Sequence, residues 1–218
     1  MGNAATRLAA VREQIARSAK TARRDPLGVT LIAVSKQRPA EEIEPLIEQG
    51  VTDFGENRVA EAALKWPRLR ASYPGLTLHM IGQLQSNKAA EAVELFDVIH
   101  SLDRPSLLEA LVKEGSNAKR FPEVYVQVNI GAEEQKGGVA IAQLPDLLAA
   151  VRASPLPLAG LMAMPPLGDQ SGPSFALLAD LARRHDVKGL SIGMSGDFPT
   201  AVMLGATAVR VGSALFDD

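Results

Sequence analysis

A lysine that directly follows a strongly apolar segment is the first residue in this sequence that could do covalent chemistry. Lys36 comes after VTLIAV and shares its strand parity with Ile32 and Val34. In a β-strand these side chains project to one face, whereas Leu31 and Ala33 project to the other. Desolvation favours the neutral form of an amine, which can condense with an aldehyde. Lys36 is therefore either a solvated lysine or a Schiff-base lysine, and its surroundings must decide.

An arginine near the other end of the chain has a similar position. In TAVRVGS, Val209 and Val211 share one face of a predicted strand and Arg210 lies on the opposite face. If the valines face outer helices, the guanidinium points into the fold, where an unpaired charge is costly. We expect Arg210 to have a fixed polar partner, either a carboxylate such as Asp103 or Asp53, or a ligand.

Two glycine-containing segments, SIGMSGD and VGS, could bind a phosphate group. They contribute the Ser195 and Ser213 hydroxyls and the small residue Gly212, with Met194 beside Ser195. Backbone N–H groups in such turns and at helix N-termini bind anions, but glycine is also the common residue of any tight turn. Their proximity to Lys36, which the fold would have to provide, makes the phosphate hypothesis much stronger.

The elements that must position these residues alternate regularly along the chain. Eight short apolar segments predict strands at 29–34, 51–54, 76–81, 97–100, 123–129, 156–162, 188–192 and 207–211. Helical periodicity lies between them, as at 40–49, 56–71, 105–114 and 174–184, and over the N-terminal segment. We expect Gly50, Gly75, Gly115 and Gly189 to cap helix C-termini. The pattern predicts an α/β protein with a single (β/α)8 TIM barrel, an extra N-terminal helix and one domain over residues 1–218.

Active sites of such barrels lie at the carboxyl ends of the strands, so other polar residues there are also candidates. Asn57 either caps the second helix or forms a hydrogen bond with a cofactor. His79 is expected to be a satisfied core histidine, and Asn87 and Lys88 to begin the third helix. No role is assigned to Lys136. The three histidines lack metal-ligand spacing, so no metal site is predicted.

Composition excludes several classes of protein. The chain has 218 residues, a net charge of -2 and no cluster of basic and aromatic residues, which argues against a nucleic-acid partner. It contains no cysteine, which rules out disulfides and thiolate chemistry. No apolar segment approaches the roughly 20 residues of a membrane span, and the N-terminal segment lacks the apolar core of a secretory signal. We expect a cytoplasmic monomer without a membrane partner.

The ordered motifs resemble the pyridoxal phosphate homeostasis protein family, whose fold is like the N-terminal barrel of alanine racemase. The resemblance covers nearly the whole chain, through AVSK, FGENRV, HMIGQLQSNK, HSLD, VNIGAEEQKGGV, GLMAMPP, SIGMSGD and GATAVRVGSALF. It implies that Lys36 holds pyridoxal 5′-phosphate (PLP) as a Schiff base and that Ser195, Gly212 and Ser213 bind its phosphate. It also implies that Arg210 lies near the pyridine nitrogen. Asn57 and Met194 complete the candidate cofactor-binding set, and no residue is assigned as catalytic.

The resemblance implies a function in PLP homeostasis, in which the protein buffers the cofactor or delivers it to PLP-dependent apo-enzymes with little catalysis of its own. A PLP-dependent amino-acid racemase is the first alternative. A Schiff-base aldolase acting on a phosphorylated sugar is the second, because it would also need a lysine and phosphate-binding loops. A non-catalytic scaffold barrel is the third. Bound PLP would make the protein yellow, which distinguishes the first two hypotheses from the others.

Overall fold

A computed structural model describes residues 3–133, 136–165 and 171–217 of the chain. The described residues contain eight parallel strands that alternate with helices, as the sequence predicts. The strands are β1 (Thr30–Val34), β2 (Asp53–Glu56), β3 (Thr77–Met80), β4 (Val98–Leu102), β5 (Glu123–Gln127), β6 (Leu158–Met162), β7 (Gly189–Met194) and β8 (Ala208–Val211). Each strand pairs with its sequence neighbours, and β1 pairs with β8, so that the sheet is a closed barrel. The predicted (β/α)8 TIM barrel is confirmed.

Helices cover the outside of the barrel. They are α1 (Ala4–Thr21), α2 (Ala40–Glu48), α3 (Val59–Ser72), α4 (Ala89–Leu95), α5 (Pro105–Ala118), α6 (Leu144–Ala153), α7 (Ser171–Arg184), α8 (Phe198–Met203) and α9 (Ser213–Phe216). The predicted extra helix is α1, which packs against α8, α9 and α2 through Leu8, Val11 and Ile15. No helix in the described ranges is long and apolar enough to cross a membrane.

Strand parity separates the two faces of the barrel as predicted. Ala33, Val209 and Val211 belong to the apolar cluster that the sheet forms with the helices. Ile32 is fully buried but lies outside that cluster, and a Cβ added to its neighbour Gly55 would lie 3.1 Å from the Ile32 Cγ2 atom. Ile32 therefore faces the barrel interior, and Lys36, of the same parity, lines the cavity above it.

Only one of the four predicted C-cap glycines is correct. Gly50, directly after the C-cap residue of α2, has a φ of 79°, as expected. Gly75 also has a positive φ, 87°, but lies two residues beyond Tyr73, the extended C-cap residue of α3. Gly115 instead lies inside α5, which ends in a left-handed Lys119, and Gly189 is the first residue of β7. Gly115 and Gly189 leave no room for a side chain. An added Cβ would lie 2.6 Å from the Phe121 ring at Gly115 and 2.0 Å from the Ala159 carbonyl oxygen at Gly189.

Candidate functional site

A cavity of about 650 Å³ opens at the carboxyl ends of the strands, a volume in the range of small-molecule sites. All seven residues that the sequence singled out as cofactor contacts line it: Lys36, Asn57, Met194, Ser195, Arg210, Gly212 and Ser213. The barrel thus brings together residues from β1, β2, β7 and β8 and from the loops that follow them. Phosphate-binding and amine chemistry are both available in one cavity.

The lysine at the end of β1 sits on a tightly held turn. Lys36 is exposed to solvent, so the protein alone does not provide the desolvation expected from the sequence. Gln37 next to it has a φ of 59°, in the left-handed region that non-glycine residues rarely adopt. The Gln37 N–H donates to Glu61, and the Arg38 N–H donates to the Ser35 carbonyl oxygen at 3.1 Å. These bonds hold the strained turn and so orient Lys36.

A buried ion pair supports the same turn from behind the sheet. Lys65 Nζ contacts Glu56 Oε1 at 2.8 Å and donates to the carbonyl oxygens of Ser35 and Arg38 at 2.7 and 3.1 Å. Glu56 is fully buried and also accepts hydrogen bonds from the Ser35 hydroxyl and the Trp66 indole N–H. Residues on both sides of Lys36 are therefore tied to α3. Sequence analysis missed this pair, because FGEN alone does not show that its glutamate is buried.

Replacing Lys65 with methionine is expected to lower the free energy of unfolding by about 3–5 kcal/mol, because it leaves a buried carboxylate without its counter-charge. Urea unfolding measures the change. Glu56→Gln combined with Lys65→Met should lose far less, since no buried charge remains. Lys113→Met is the control: the Lys113 side chain is 76% exposed, and the change should stay within about 0.5 kcal/mol. A loss under about 1 kcal/mol for Lys65→Met alone would contradict this account.

The loops after β7 and β8 meet at one hydroxyl group. Ser195 Oγ accepts hydrogen bonds from the backbone N–H groups of Gly212, at 3.1 Å, and Ala214, at 3.4 Å. Gly193 makes the approach possible: its φ is 92°, and an added Cβ would lie 2.5 Å from the Ala201 Cβ. The exposed hydroxyl of Ser213 lies beside these amides on the cavity wall. This cluster of small residues, amides and hydroxyls has the chemistry of a phosphate site.

The arginine of β8 is buried and held by neutral oxygens. Arg210 is 4% exposed, and its Nη1 donates to the Ser191 carbonyl oxygen and hydroxyl at 2.7 and 2.6 Å. Its Nη2 donates to the Ala163 carbonyl oxygen at 3.1 Å. The predicted alternative of an ion pair with Asp103 or Asp53 is wrong, since these carboxylates contact Arg104 and His79 instead. Within the described ranges, the Nε–H and one Nη2–H of Arg210 have no protein acceptor.

Burial lowers the pKa of Arg210 to about 10, although the charges of Asp197 and Tyr125 act in the opposite direction. The side chain still carries a positive charge at neutral pH. Because a guanidinium has donors only, a group facing Arg210 in the cavity must accept a hydrogen bond.

Asn57 and Met194 contribute a polar and an apolar contact. Arg58, rather than Asn57, is the N-cap residue of α3, so the capping alternative is wrong. The Oδ1 atom of Asn57 is buried and has no hydrogen-bond partner among the described residues. An orphaned acceptor on a cavity wall points to a ligand donor. Met194 is 38% exposed, an apolar surface against which a ring could pack.

The other sequence candidates lie outside this cavity. His79 is a satisfied interior histidine, as predicted, and contacts His100 and Asp53. Ser86–Lys88 form a 3₁₀ turn before α4, and Lys88 contacts Glu91 on the surface. Lys136 contacts Glu133 and donates to the Pro165 carbonyl oxygen at 3.0 Å. No group of three potential metal ligands occurs among the residues that the structure describes.

Several cavity residues carried no recognisable sequence signal. Arg38 and Asp217 form an ion pair at the cavity rim, and Ile81, Gly82 and Met164 complete its wall. Gly82, directly after the third strand, was the available sequence clue, because a glycine at a strand end can mark a close approach of two backbones. A Cβ added to Gly82 would lie 2.3 Å from the Asn57 carbonyl oxygen. The backbone contact thus keeps the loops after β2 and β3 together.

Comparison with known proteins agrees with the barrel and the order of the motifs. The family model "Alanine racemase, N-terminal domain" matches residues 6–218. A protein of Escherichia coli named pyridoxal phosphate homeostasis protein is 37% identical over 226 residues, which cover 99% of this chain and 97% of that protein. Its namesake in Pseudomonas aeruginosa is 40% identical over 224 residues, covering 99% and 96%.

Solved structures agree with this assignment. PipY of Synechococcus elongatus, solved with PLP bound, has a TM-score of 0.85 and 37% identity and covers 98% of this chain and 100% of its own. Alanine racemase from Corynebacterium glutamicum is 20% identical with a TM-score of 0.66, covering 93% of this chain and 60% of its own, which shows the shared fold alone. The chain therefore belongs to the alanine racemase N-terminal domain family and, within it, to the pyridoxal phosphate homeostasis proteins.

Proposed function

We propose that this protein binds PLP as a Schiff base on Lys36 and buffers or delivers the cofactor, with little catalysis of its own. The observation that carries the proposal is the single cavity in which an accessible lysine amine, converging amides and a buried arginine face one another. The names of the curated relatives and the PLP bound to PipY support the choice of ligand.

The cavity suits the three functional parts of PLP. Ser195, Gly212 and Ser213 would bind the phosphate through a hydroxyl and backbone N–H groups, as at other helix N-termini. Lys36 would form the covalent bond, for which the bound cofactor supplies an aldehyde carbon. Arg210 would donate one of its free N–H groups to the pyridine nitrogen, which accepts a hydrogen bond only when unprotonated. Asn57 would contact a polar substituent through its unpartnered oxygen, and Met194 would pack against the ring.

Storage and delivery need access to the lysine rather than a second catalytic group. Lys36 is exposed at the mouth of the cavity, where the amine of a recipient could displace it. We propose PLP-dependent apo-enzymes as recipients, and the cytoplasm, where those enzymes need the cofactor, as the location. We further propose that residues 1–218 form one domain and act as a monomer. The closure of the barrel by β1 and β8, with α1 packed on α8 and α9, supports the single domain.

Titration of the purified, cofactor-free protein with PLP tests the proposal. A visible absorption band should saturate at one PLP per chain, and borohydride reduction should make the attachment permanent on Lys36. A preparation that stays colourless and takes up no label would contradict it and favour the aldolase or the scaffold.

Bulkier side chains in the phosphate cluster should weaken PLP far more than unphosphorylated pyridoxal. Gly212→Val and Ser195→Val are each expected to lower PLP affinity about ten- to a hundredfold, the value of a hydrogen bond to a charged group. A Cβ added at Gly212 would lie at ordinary contact distance, 3.4 Å from the Val34 Cβ, and urea unfolding of the variant checks that the fold is kept. Equilibrium dialysis with both ligands measures the difference.

The matched control for these variants is Gly28→Val. Gly28 is exposed, has nothing within 4 Å of an added Cβ and lies far from the cavity, so neither ligand should be affected. Equal losses of affinity for PLP and for pyridoxal in the Gly212 and Ser195 variants would show that these loops do not bind the phosphate.

A further inference from the structure

A continuous chain of hydrogen bonds runs through the barrel interior behind Arg210. Arg210 Nη1 lies 2.6 Å from Ser191 Oγ, which lies 2.9 Å from His100 Nδ1. His100 Nε2 lies 3.0 Å from His79 Nδ1, and His79 Nε2 lies 3.0 Å from Asp53 Oδ1. The five residues come from β8, β7, β4, β3 and β2 and connect the cavity with the amino-terminal end of the barrel.

The hydrogen-bond chain is buried along its length and is accessible only at its two ends, where Arg210 lines the cavity and Asp53 meets solvent. Arg210, Ser191, His100 and His79 are buried, whereas the Asp53 side chain is 24% exposed at the first position of β2. The Tyr125 ring stacks on His100 with 4.4 Å between ring centroids and an interplanar angle of 14°. Buried polar groups are costly unless all of them are satisfied, so a network of this length requires that each proton has a partner.

The two ends of the chain determine its proton positions. Arg210 can only donate, and Asp53, when ionised, can only accept. Burial raises the pKa of Asp53, but the hydrogen bonds from His79 and Thr52 outweigh burial and hold it below the ordinary value. Burial, followed by the charges of His79 and Arg210, holds the pKa of His100 well below its ordinary value. A charged arginine and a carboxylate thus flank a neutral His100.

With both imidazoles neutral and Asp53 ionised, one assignment of protons satisfies every link. The Ser191 hydroxyl accepts from Arg210 and donates to His100 Nδ1. The Nε2–H of His100 then donates to His79 Nδ1, and the Nε2–H of His79 donates to Asp53. All donors point from Arg210 towards Asp53. A second proton on His100 would make the Ser191 hydroxyl accept from both Arg210 and His100, and the hydroxyl proton would lose His100 as its acceptor.

We propose that Ser191, His100, His79 and Asp53 are positioning residues for Arg210, which they hold so that its free N–H groups face the ring of the bound cofactor. This inference rests on the proposed function of the cavity. Arg210 has no carboxylate partner within the described ranges, so its position depends on neutral acceptors, and Ser191 provides two of the three. The chain orients the Ser191 hydroxyl so that its lone pair, rather than its proton, faces the guanidinium.

Ser191→Ala and His100→Phe test the proposal. Ser191→Ala removes one oxygen, and His100→Phe removes both nitrogens but keeps a ring for Tyr125. Both should still be labelled on Lys36 by borohydride, but the visible band of bound PLP should shift and the affinity should fall about tenfold, because the hydrogen bond to the ring is displaced. Ser101→Ala is the matched control: Ser101 is a fully buried serine next to His100 whose hydroxyl has no partner among the described residues, and its variant should match the wild type.

Nitrogen-15 spectra of the cofactor-free wild-type protein give a second measurement that needs no variant. His100 should be neutral with its proton on Nε2. A proton on Nδ1 of His100 would overturn the assigned chain, as would an unchanged absorption band and affinity in Ser191→Ala. If His100→Phe does not fold, the absorption band and PLP affinity of Ser191→Ala alone test the proposal. Failure of the proposed function looks different, since the wild type itself would then bind no PLP, and the inference would be rejected with it.

Discussion

Lys36→Ala is expected to abolish covalent attachment of PLP, seen as complete loss of the visible band and of borohydride-stable label. The amine of Lys36 is exposed at the cavity mouth at the end of β1. No other described lysine lines this cavity. The phosphate cluster and Arg210 remain in the variant, so PLP should still bind, but weakly and reversibly.

The nearest competing lysines are held elsewhere. Lys65 is 12% exposed and bound to Glu56 behind the sheet, and Lys136 contacts Glu133 on the loop after β5. Peptide mapping after reduction identifies the labelled residue, and Lys113→Ala, with its exposed side chain on α5, serves as the control. A variant that keeps the full band, with the label on another lysine, would show that the assignment of Lys36 is wrong.

The PLP-loaded protein is expected to be a very poor racemase and transaminase, with turnover orders of magnitude below the typical enzyme value of about 10 per second. Racemisation needs a second acid–base group opposite the lysine. The two tyrosines of the sequence, Tyr73 and Tyr125, do not line the cavity. Tyr73 follows α3, and Tyr125 stacks on His100 inside the barrel, where burial raises its pKa.

Arg210 also disfavours carbanion chemistry. Enzymes that stabilise a carbanion on PLP commonly place a carboxylate beside the pyridine nitrogen, which then keeps its proton. A charged guanidinium cannot accept that proton, so the ring would withdraw electrons less strongly. Exchange of the bond to Lys36 for a bond to another amine needs neither group. Delivery of the cofactor should therefore be far faster than any turnover of alanine.

Racemisation can be followed by chiral separation of alanine, and half-transamination by the loss of the visible band. Both are compared with transfer of PLP to a cofactor-free PLP enzyme, with Lys36→Ala as the control for each assay. Turnover of alanine near 10 per second, lost in Lys36→Ala, would favour a genuine enzyme over a carrier.

The sequence alone determined the fold and the main parts of the cavity. Alternating apolar strands and periodic helices predicted the eight-stranded barrel, because each of these patterns is local and repeats along the chain. The two-residue period of a strand placed Lys36 and Arg210 on the inner face, since the apolar neighbours of opposite parity must face the helices. The order of the strands then predicted that the loops after β7 and β8 would adjoin β1.

Tertiary structure decided which inner side chains meet. Strand parity predicts that His79 and Arg210 face inward. It does not predict at which level along the barrel axis the residues of different strands lie. That level depends on the stagger of the closed sheet and on the register shifts between Ile99 and Leu102 in β4 and between Ser191 and Met194 in β7. The chain from Arg210 to Asp53, which joins five strands, exists only after closure.

Tertiary structure also decided which polar side chains are buried and what they contact. FGEN does not show that Glu56 is buried, and only the packing of α3 against the barrel surrounds it with Trp66 and Lys65. Asn57 reads equally well as a cap or a ligand contact until the start of α3 at Val59 makes Arg58 the cap. Local sequence sets the direction of each side chain, whereas its partners come from residues distant in sequence, whose contacts depend on the whole barrel.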